Sequence, residues 1–418
     1  MIFTPKPANT FPEFIDTYYD RCRERVPEIE ANAGKWAFED LIPGLSDFDT
    51  RFMVRNGMTP DDWCRMSTEV GRVHLELAQE RKDWARNLEH LPGVNLQWNE
   101  LLDPAQYFPE FAKWSFYRGA PESLQRVHEH IAARAWGATD EVYHWKIISL
   151  YYGPYDRAID PPINLGAFEN KYPLHSRLMH YLAPPLHSAV CLMNRKTLPG
   201  KQDAFNMARS LFPNAETIDE VFAILQRHYE CPELMSEPGV TRLDERLALY
   251  LFDAIEVLRA RFGLDCPSRP NPEELRRSVR GMKSGSPLAQ LFESAKFARL
   301  MKGRLWFYGQ NVLWFDSHWL IENELRRMRT NFYESPLRLF ARYVLGTEAT
   351  PETALAQLEG DVLSAEQVVA WRKFAELSQP QCERHQLKAR ALAIADSFDP
   401  FLHAIETLLT AARRVAGR

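Results

Sequence analysis

Asp47 and Asp49 stand two apart, with Phe48 between them, at the mouth of the apolar, β-prone run Phe52-Met53-Val54. Residues i and i+2 of a strand face the same side. A strand over 47–54 therefore presents two carboxylates side by side, and like charges that close call for a cation. Oxygen-only ligands suit Mg²⁺, which keeps waters and shares its shell with phosphates. A third carboxylate on a neighbouring strand would allow two metals and an in-line displacement at phosphorus. The competing reading is a turn: Pro43 to Asp47 makes a loop with an Asp cap, and Asp-x-Asp also arises by chance.

The third carboxylate is sought in "VNLQWNELLDP". Val94, Leu96, Trp98 and Glu100 alternate onto one face of an expected second strand. Glu100 is the first choice. Asp103 is the alternative, because a shift of one residue in register reverses the faces. Upstream, Gly34-Lys35 precedes Asp47 with eleven residues between. A glycine there would let backbone N–H groups approach a phosphate.

The arrangement resembles the nucleotidyltransferases of the DNA polymerase β superfamily, whose signature is a Gly-Gly or Gly-Ser pair, a spacer of this kind, then an acid, an apolar residue and a second acid. "SDFD", Ser46 to Asp49, is similar to the "SDID" of small antibiotic nucleotidyltransferases. The resemblance implies that Asp47 and Asp49 bind Mg²⁺, that Glu100 completes the set, and that a nucleotide's phosphates lie on Gly34, Lys35 and Ser46. Lys35 departs from the pattern, standing where the family has Gly or Ser; a lysine there would meet a phosphate as a point charge. Leu186 to Pro213 is similar to the second domain of the antibiotic enzymes. There Lys196 and Lys201, with Arg195 beside them, would reach back to the triphosphate. Basic residues at a helix end also favour the macrodipole without any ligand.

What the resemblance implies is transfer of a nucleoside monophosphate from an NTP, ATP first, to a hydroxyl, with pyrophosphate leaving. A small-molecule acceptor is favoured over nucleic acid because the net charge is -5 and no global basic field exists. The alternatives are a tRNA-modifying, toxin-like transferase and an inactive binding protein on the same fold.

The elements that must position these residues divide unevenly. The expected fold class is α+β: a small nucleotidyltransferase-like head over 1–118, a helical domain closing the cleft over 119–266, and a helical C-terminal domain over 267–418. A helix is expected from Pro12 to Glu30. Thr59-Pro60 with Asp61 and Asp62 starts another, expected to run to Glu89 before Pro92-Gly93. Beyond Gly119 the pattern is helical throughout, including Arg242 to Phe262, Gln310 to Arg329, and a capping box at Ser364 with Gln367.

The chain has 418 residues, 45% hydrophobic and 26% charged, which suits a globular protein with a sizeable core. Six scattered cysteines without a Cys-x-x-Cys pair argue against a disulfide framework or zinc site and for a reducing compartment. No leader pattern and no bilayer-length apolar run stands out, so a cytoplasmic protein without a membrane partner is expected. Among twelve histidines, His128 and His130 cannot share a ligand on a helix, and His175 and His180 are poorly spaced. His144 is a candidate base, with a core role favoured. Tyr172, His175, Arg177 and His180 are candidates to line a cleft between domains. The aromatic run from Arg304 to Leu320 reads as core.

Overall fold

The computed structural model describes residues 10–37, 40–41, 48–84, 87–151, 183–230, 244–283, 288–310, 317–379 and 381–416. Ser46, Asp47, Tyr172, His175, Arg177 and His180 lie outside them.

Helix α1 spans Thr10–Arg25 and buries Phe14, Ile15, Tyr18, Tyr19 and Cys22. It ends five residues before the expected Glu30. Pro27 disfavours a helical Val26, and Ile29, Ala31 and Ala33 are buried while Glu30 is exposed, which is a strand period. Those residues form β1, Ile29–Gly34. Strand β2 is Thr50–Val54, shorter than the expected 47–54, with Asp49 as its lead-in. Strand β3 is only Leu96–Gln97, and β4, unforeseen, is Ser115–Arg118.

The sheet runs β3-β2-β1-β4. β1 is antiparallel to β2 and β4, and β2 is parallel to β3. A parallel pair needs a crossover, which includes helix α2, Pro60–Glu80. Thr59 and Asp62 close its capping box as the sequence indicates. α2 stops at Glu80 rather than near Glu89, because Trp84 turns back to pack edge-on against Phe14.

The chain from β3 goes directly into a short helix, α3, Trp98–Leu101. Glu100 reaches back to the Gln97 N–H (2.9 Å), so the expected strand over 94–100 is cut at Gln97 by its own cap. Helix α4, Pro121–Ala132, covers the second face of the sheet, where Ala31, Ala33, Met53 and Leu96 meet Phe111, Trp114 and Val127.

Helices α5 (Ala138–Tyr151), α6 (Ala183–Asn194), α7 (Lys201–Leu211), α8 (Ala215–Glu230), α9 (Asp244–Phe262) and α10 (Pro272–Gly281) share a separate core. Since Leu275 and Val279 belong to it, this unit extends past the boundary expected at residue 267.

The C-terminal helices do not form a core of their own. Leu305, Phe307, Trp371 and Phe401 join Phe14, Phe52, Trp63 and Val70 of the head in one continuous cluster. At the centre Gly71 of α2 faces Gly303 of helix Met301–Gly309. A Cβ on Gly303 would collide with the Ser67 carbonyl oxygen, and the Gly303 N–H donates to Ser67 Oγ (3.0 Å). The helix expected over Gln310 to Arg329 is His318–Met328. It is followed by a π-turn over Arg329–Glu334, and residues 311–316 lie outside the description. The capping box at Ser364 forms with Gln367. The molecule is thus α+β, a four-stranded sheet near the N-terminus followed by helices. Among the described residues no helix is long and apolar enough to cross a membrane.

Candidate functional site

Lys35 follows β1 and Asp49 precedes β2, and the Lys35 N–H donates to the Asp49 carbonyl (3.0 Å). The antiparallel ladder thereby gains one rung beyond Gly34–Thr50 and holds the two residues side by side. The Asp49 carboxylate is half-buried and accepts no hydrogen bond from any described residue. Burial works to raise its pKa, but the positive field of Lys35, then of Arg51, His90 and Arg304, outweighs burial and holds the carboxyl well below the usual range.

Gly34 is explained by packing. A Cβ there would collide with the ring of Tyr117, whose hydroxyl donates to the Trp36 carbonyl. The glycine admits an aromatic ring from β4 where the sequence reading expects backbone open to a phosphate.

Beyond Asp49 the site becomes a row of buried charges. Arg51 pairs with Glu110 (3.0 Å) and also donates to the Thr50 carbonyl (2.7 Å). Trp114 Nε1 donates to the same Glu110 oxygen (3.2 Å). Lys113, two per cent exposed, donates to the Tyr143 hydroxyl (3.2 Å). Its ammonium nitrogen lies 5.3 Å from the centre of the Trp36 ring. The Lys201 ammonium lies 4.8 Å from that same centre, and Trp36 stands edge-on to His187 (5.0 Å). Asp40 accepts the Lys201 backbone N–H on both oxygens (3.1 Å each), so an acid from the head caps α7. Burial pushes the Lys113 pKa down to about 8, and the charges of Lys35 and Lys201 push the same way against Cys191 and Glu110.

Of the two lysines expected at the triphosphate, Lys201 therefore joins Trp36. Lys196 is exposed at the end of α6, its N–H bonded to the Cys191 carbonyl (3.2 Å). Arg195 adopts a left-handed backbone (φ 48°), and its guanidinium lies 5.9 Å from the Phe262 ring centre.

Glu100 stands elsewhere and is fully engaged. Arg299 grips both oxygens (2.6 and 2.9 Å), and Arg413 donates to one of them. Burial opposes its ionisation, yet Arg299, with Lys296 and Arg413, holds the carboxyl well below its ordinary range. A carboxylate with both oxygens committed to guanidinium groups has no capacity left for a metal, so Glu100 does not fit that role. Asp103 caps a short turn, accepting from Ala105 N–H (2.9 Å) and Gln106 Nε2 (2.6 Å).

One cluster escaped the sequence reading. His144, His187 and Cys191 bring potential ligand atoms within 4.8 Å of one another, all buried. The i, i+4 spacing of His187 and Cys191 on α6 is its visible signal. His187 Nε2–H donates to the Leu198 carbonyl (2.8 Å), and His144 meets Ser188 Oγ (3.2 Å) and Thr197 Oγ1 (2.9 Å). Burial holds both imidazoles well below their usual pKa, hence neutral.

The sulfur position decides what this cluster is. Zinc on one ring nitrogen, with ordinary bond lengths, would hold a coordinating sulfur about 5 Å or more from the other nitrogen. Cys191 Sγ is 3.6 Å from Nδ1 and 3.8 Å from Nε2. It stands across the ring, accepting the Leu198 N–H (3.3 Å). The cluster is a hydrogen-bonded plug that fixes the turn between α6 and α7.

No family model matches this chain, and no curated protein or solved structure is significantly similar to it.

Proposed function

We propose that the chain is a Mg²⁺-dependent nucleotidyltransferase that moves a nucleoside monophosphate from an NTP, ATP first, to a hydroxyl of a small-molecule acceptor. One observation carries the reading: the Asp49 carboxylate is ionised, half-buried and unclaimed by any described hydrogen-bond donor, beside the Lys35 turn. A buried carboxylate without a partner is costly, and a divalent cation would supply one. Asp49, with Asp47 as its sequence partner, would hold that cation. Bound there, the metal would neutralise charge developing on the phosphates.

The remaining work falls to the chain's own residues. Lys35 and Lys201 would meet the β- and γ-phosphates as point charges. Trp36, between head and helical domain, would keep that end of the cleft dry, which strengthens each contact. Asp40, by capping α7, keeps Lys201 at the cleft. In such a site catalysis is positioning and charge neutralisation rather than covalent chemistry.

A second reading, a nucleotide-binding protein without transfer, is favoured by the commitment of Glu100 to Arg299, which removes the expected third acid. The test is pyrophosphate release from ATP and Mg²⁺ in the presence of hydroxyl-bearing small molecules. Transfer is expected, with Asp49→Asn lowering it by about two orders of magnitude or more. Mg²⁺-dependent nucleotide binding without transfer would select the second reading, and no nucleotide binding would end both.

A further inference from the structure

Lys113 is a buried cation whose anion is missing. Its charged head has three donors, and the Tyr143 hydroxyl takes one. No carboxylate lies within ion-pair distance of it among the described residues; Glu110, three positions back, gives its oxygen to Arg51 and Trp114. The Trp36 ring offers only its face, at 5.3 Å, and the Tyr143 ring the same at 5.0 Å. A buried charge in this state costs several kcal/mol, and the usual remedies of pairing or exposure are both absent. The neighbouring elements make matters worse, because the Lys201 ammonium sits on the same indole at 4.8 Å. The field at Lys113 comes from Cys191, Lys35, Glu110 and Lys201, with Lys35 and Lys201 repelling it. His144 and His187 face it as neutral rings. Two lysines from different parts of the chain, gathered on one aromatic face around a half-solvated ammonium, form the counter-surface of a multiply charged anion.

We propose that Lys113 and Lys201, seated on Trp36, form a binding site for a diphosphate-class anion, with Lys113 as its buried anchor. The inference rests on the nucleotidyltransferase reading only for the role of that anion, which would be the leaving pyrophosphate and the β,γ end of the NTP. The binding itself needs neither a metal nor a nucleoside.

The consequence is a proton linkage. Lys113, with a pKa near 8 in the free protein, binds an anion as the ammonium. Affinity therefore falls as pH rises through that value, and binding at pH 8 draws a proton from solution. A lysine with a purely structural role predicts neither effect.

The experiment is titration calorimetry of inorganic pyrophosphate into the full chain without divalent cation, at pH 7 and pH 9, in two buffers of different ionisation enthalpy. The expected result is binding that weakens at pH 9, with proton uptake near pH 8. Lys113→Met, which keeps the stem and removes the charge, should weaken it about ten- to a hundredfold. Folding is no obstacle, since replacing an unpaired buried charge by an apolar side chain should raise the melting temperature; Lys201→Met is the second variant and should also weaken binding. No binding to the native chain, equal affinity for Lys113→Met, or binding without proton uptake would overturn the proposal. Pyrophosphate binding lost in Lys113→Met, from a chain that transfers no nucleotide, would uphold this site and remove the nucleotidyltransferase reading. Nucleotide transfer with pyrophosphate affinity indifferent to Lys113 would do the reverse.

Discussion

At the scale of single residues, the contrast between Asp49 and Glu100 organises the chemistry. Both carboxyls are held ionised against burial by nearby cations. Glu100 spends both oxygens on Arg299 and Arg413, whereas Asp49 spends neither on a described donor. Asp49→Asn should therefore lower stability as well as activity, because it removes the negative charge that offsets Lys35, Arg51 and Arg304. The folded-state pKa of Asp49 is depressed, so its contribution is present above about pH 4 and fades as pH falls below. Thermal melts of Asp49→Asn and the native chain should differ at pH 7 and converge toward pH 3. Lys113 has the opposite signature. Its folded pKa is lowered to about 8, against about 10.4 in the unfolded chain. The unfolded state binds the extra proton between those values, so this residue makes the protein more stable as pH rises from about 8 to about 10. Lys113→Met should lose that part of the alkaline slope.

At the scale of elements, local signals were legible wherever the chain decides its own conformation. The Thr59–Asp62 and Ser364–Gln367 capping boxes and the Pro60 start of α2 could be read directly. Elements that depend on a distant partner were not. β4 is an edge strand whose Phe116, Tyr117 and Arg118 carry no clean alternation, and β1 looks like a continuation of α1 until Pro27 is weighed. α3 was mistaken for strand because Leu96 and Trp98 alternate, while the Glu100 cap that turns the chain is a three-residue contact. The reading of Gly34 missed for the same reason, since Tyr117 arrives from 83 positions later. The α2 crossing is the most sensitive of these packings. Gly303→Ala would drive a methyl into the Ser67 carbonyl and should cost about 1–3 kcal/mol, read as a lower urea midpoint with unchanged m-value. A midpoint within error of the native one would mean the two helices separate freely.

At the scale of the molecule, the tail belongs to the head. Arg299 ties Glu100 of α3 to Glu406 of helix Phe398–Ala416 (2.7 Å), and Arg413 of that helix returns to Glu100. These charges sit in a continuous core from Phe11 to Ala412, so removing one member strands the others. Glu100→Gln should destabilise by about 3–5 kcal/mol, the cost of breaking a buried ion pair, in a single cooperative urea transition for head and tail together. A separate, unaffected tail transition would show the two to be independent. No sequence period announces this union, because a salt bridge spanning 199 positions leaves no local trace.

The central claim, that Asp49 holds a metal for a nucleotide's phosphates, is tested most directly by calorimetric titration of a non-hydrolysable ATP analogue into the native chain and Asp49→Asn, with and without Mg²⁺. The account predicts that Mg²⁺ tightens binding to the native chain about tenfold or more, the scale of one well-placed ionic contact, and that the substitution abolishes this gain while leaving metal-free binding in place. Binding that ignores Mg²⁺, or a gain from Mg²⁺ that survives in Asp49→Asn, would contradict it.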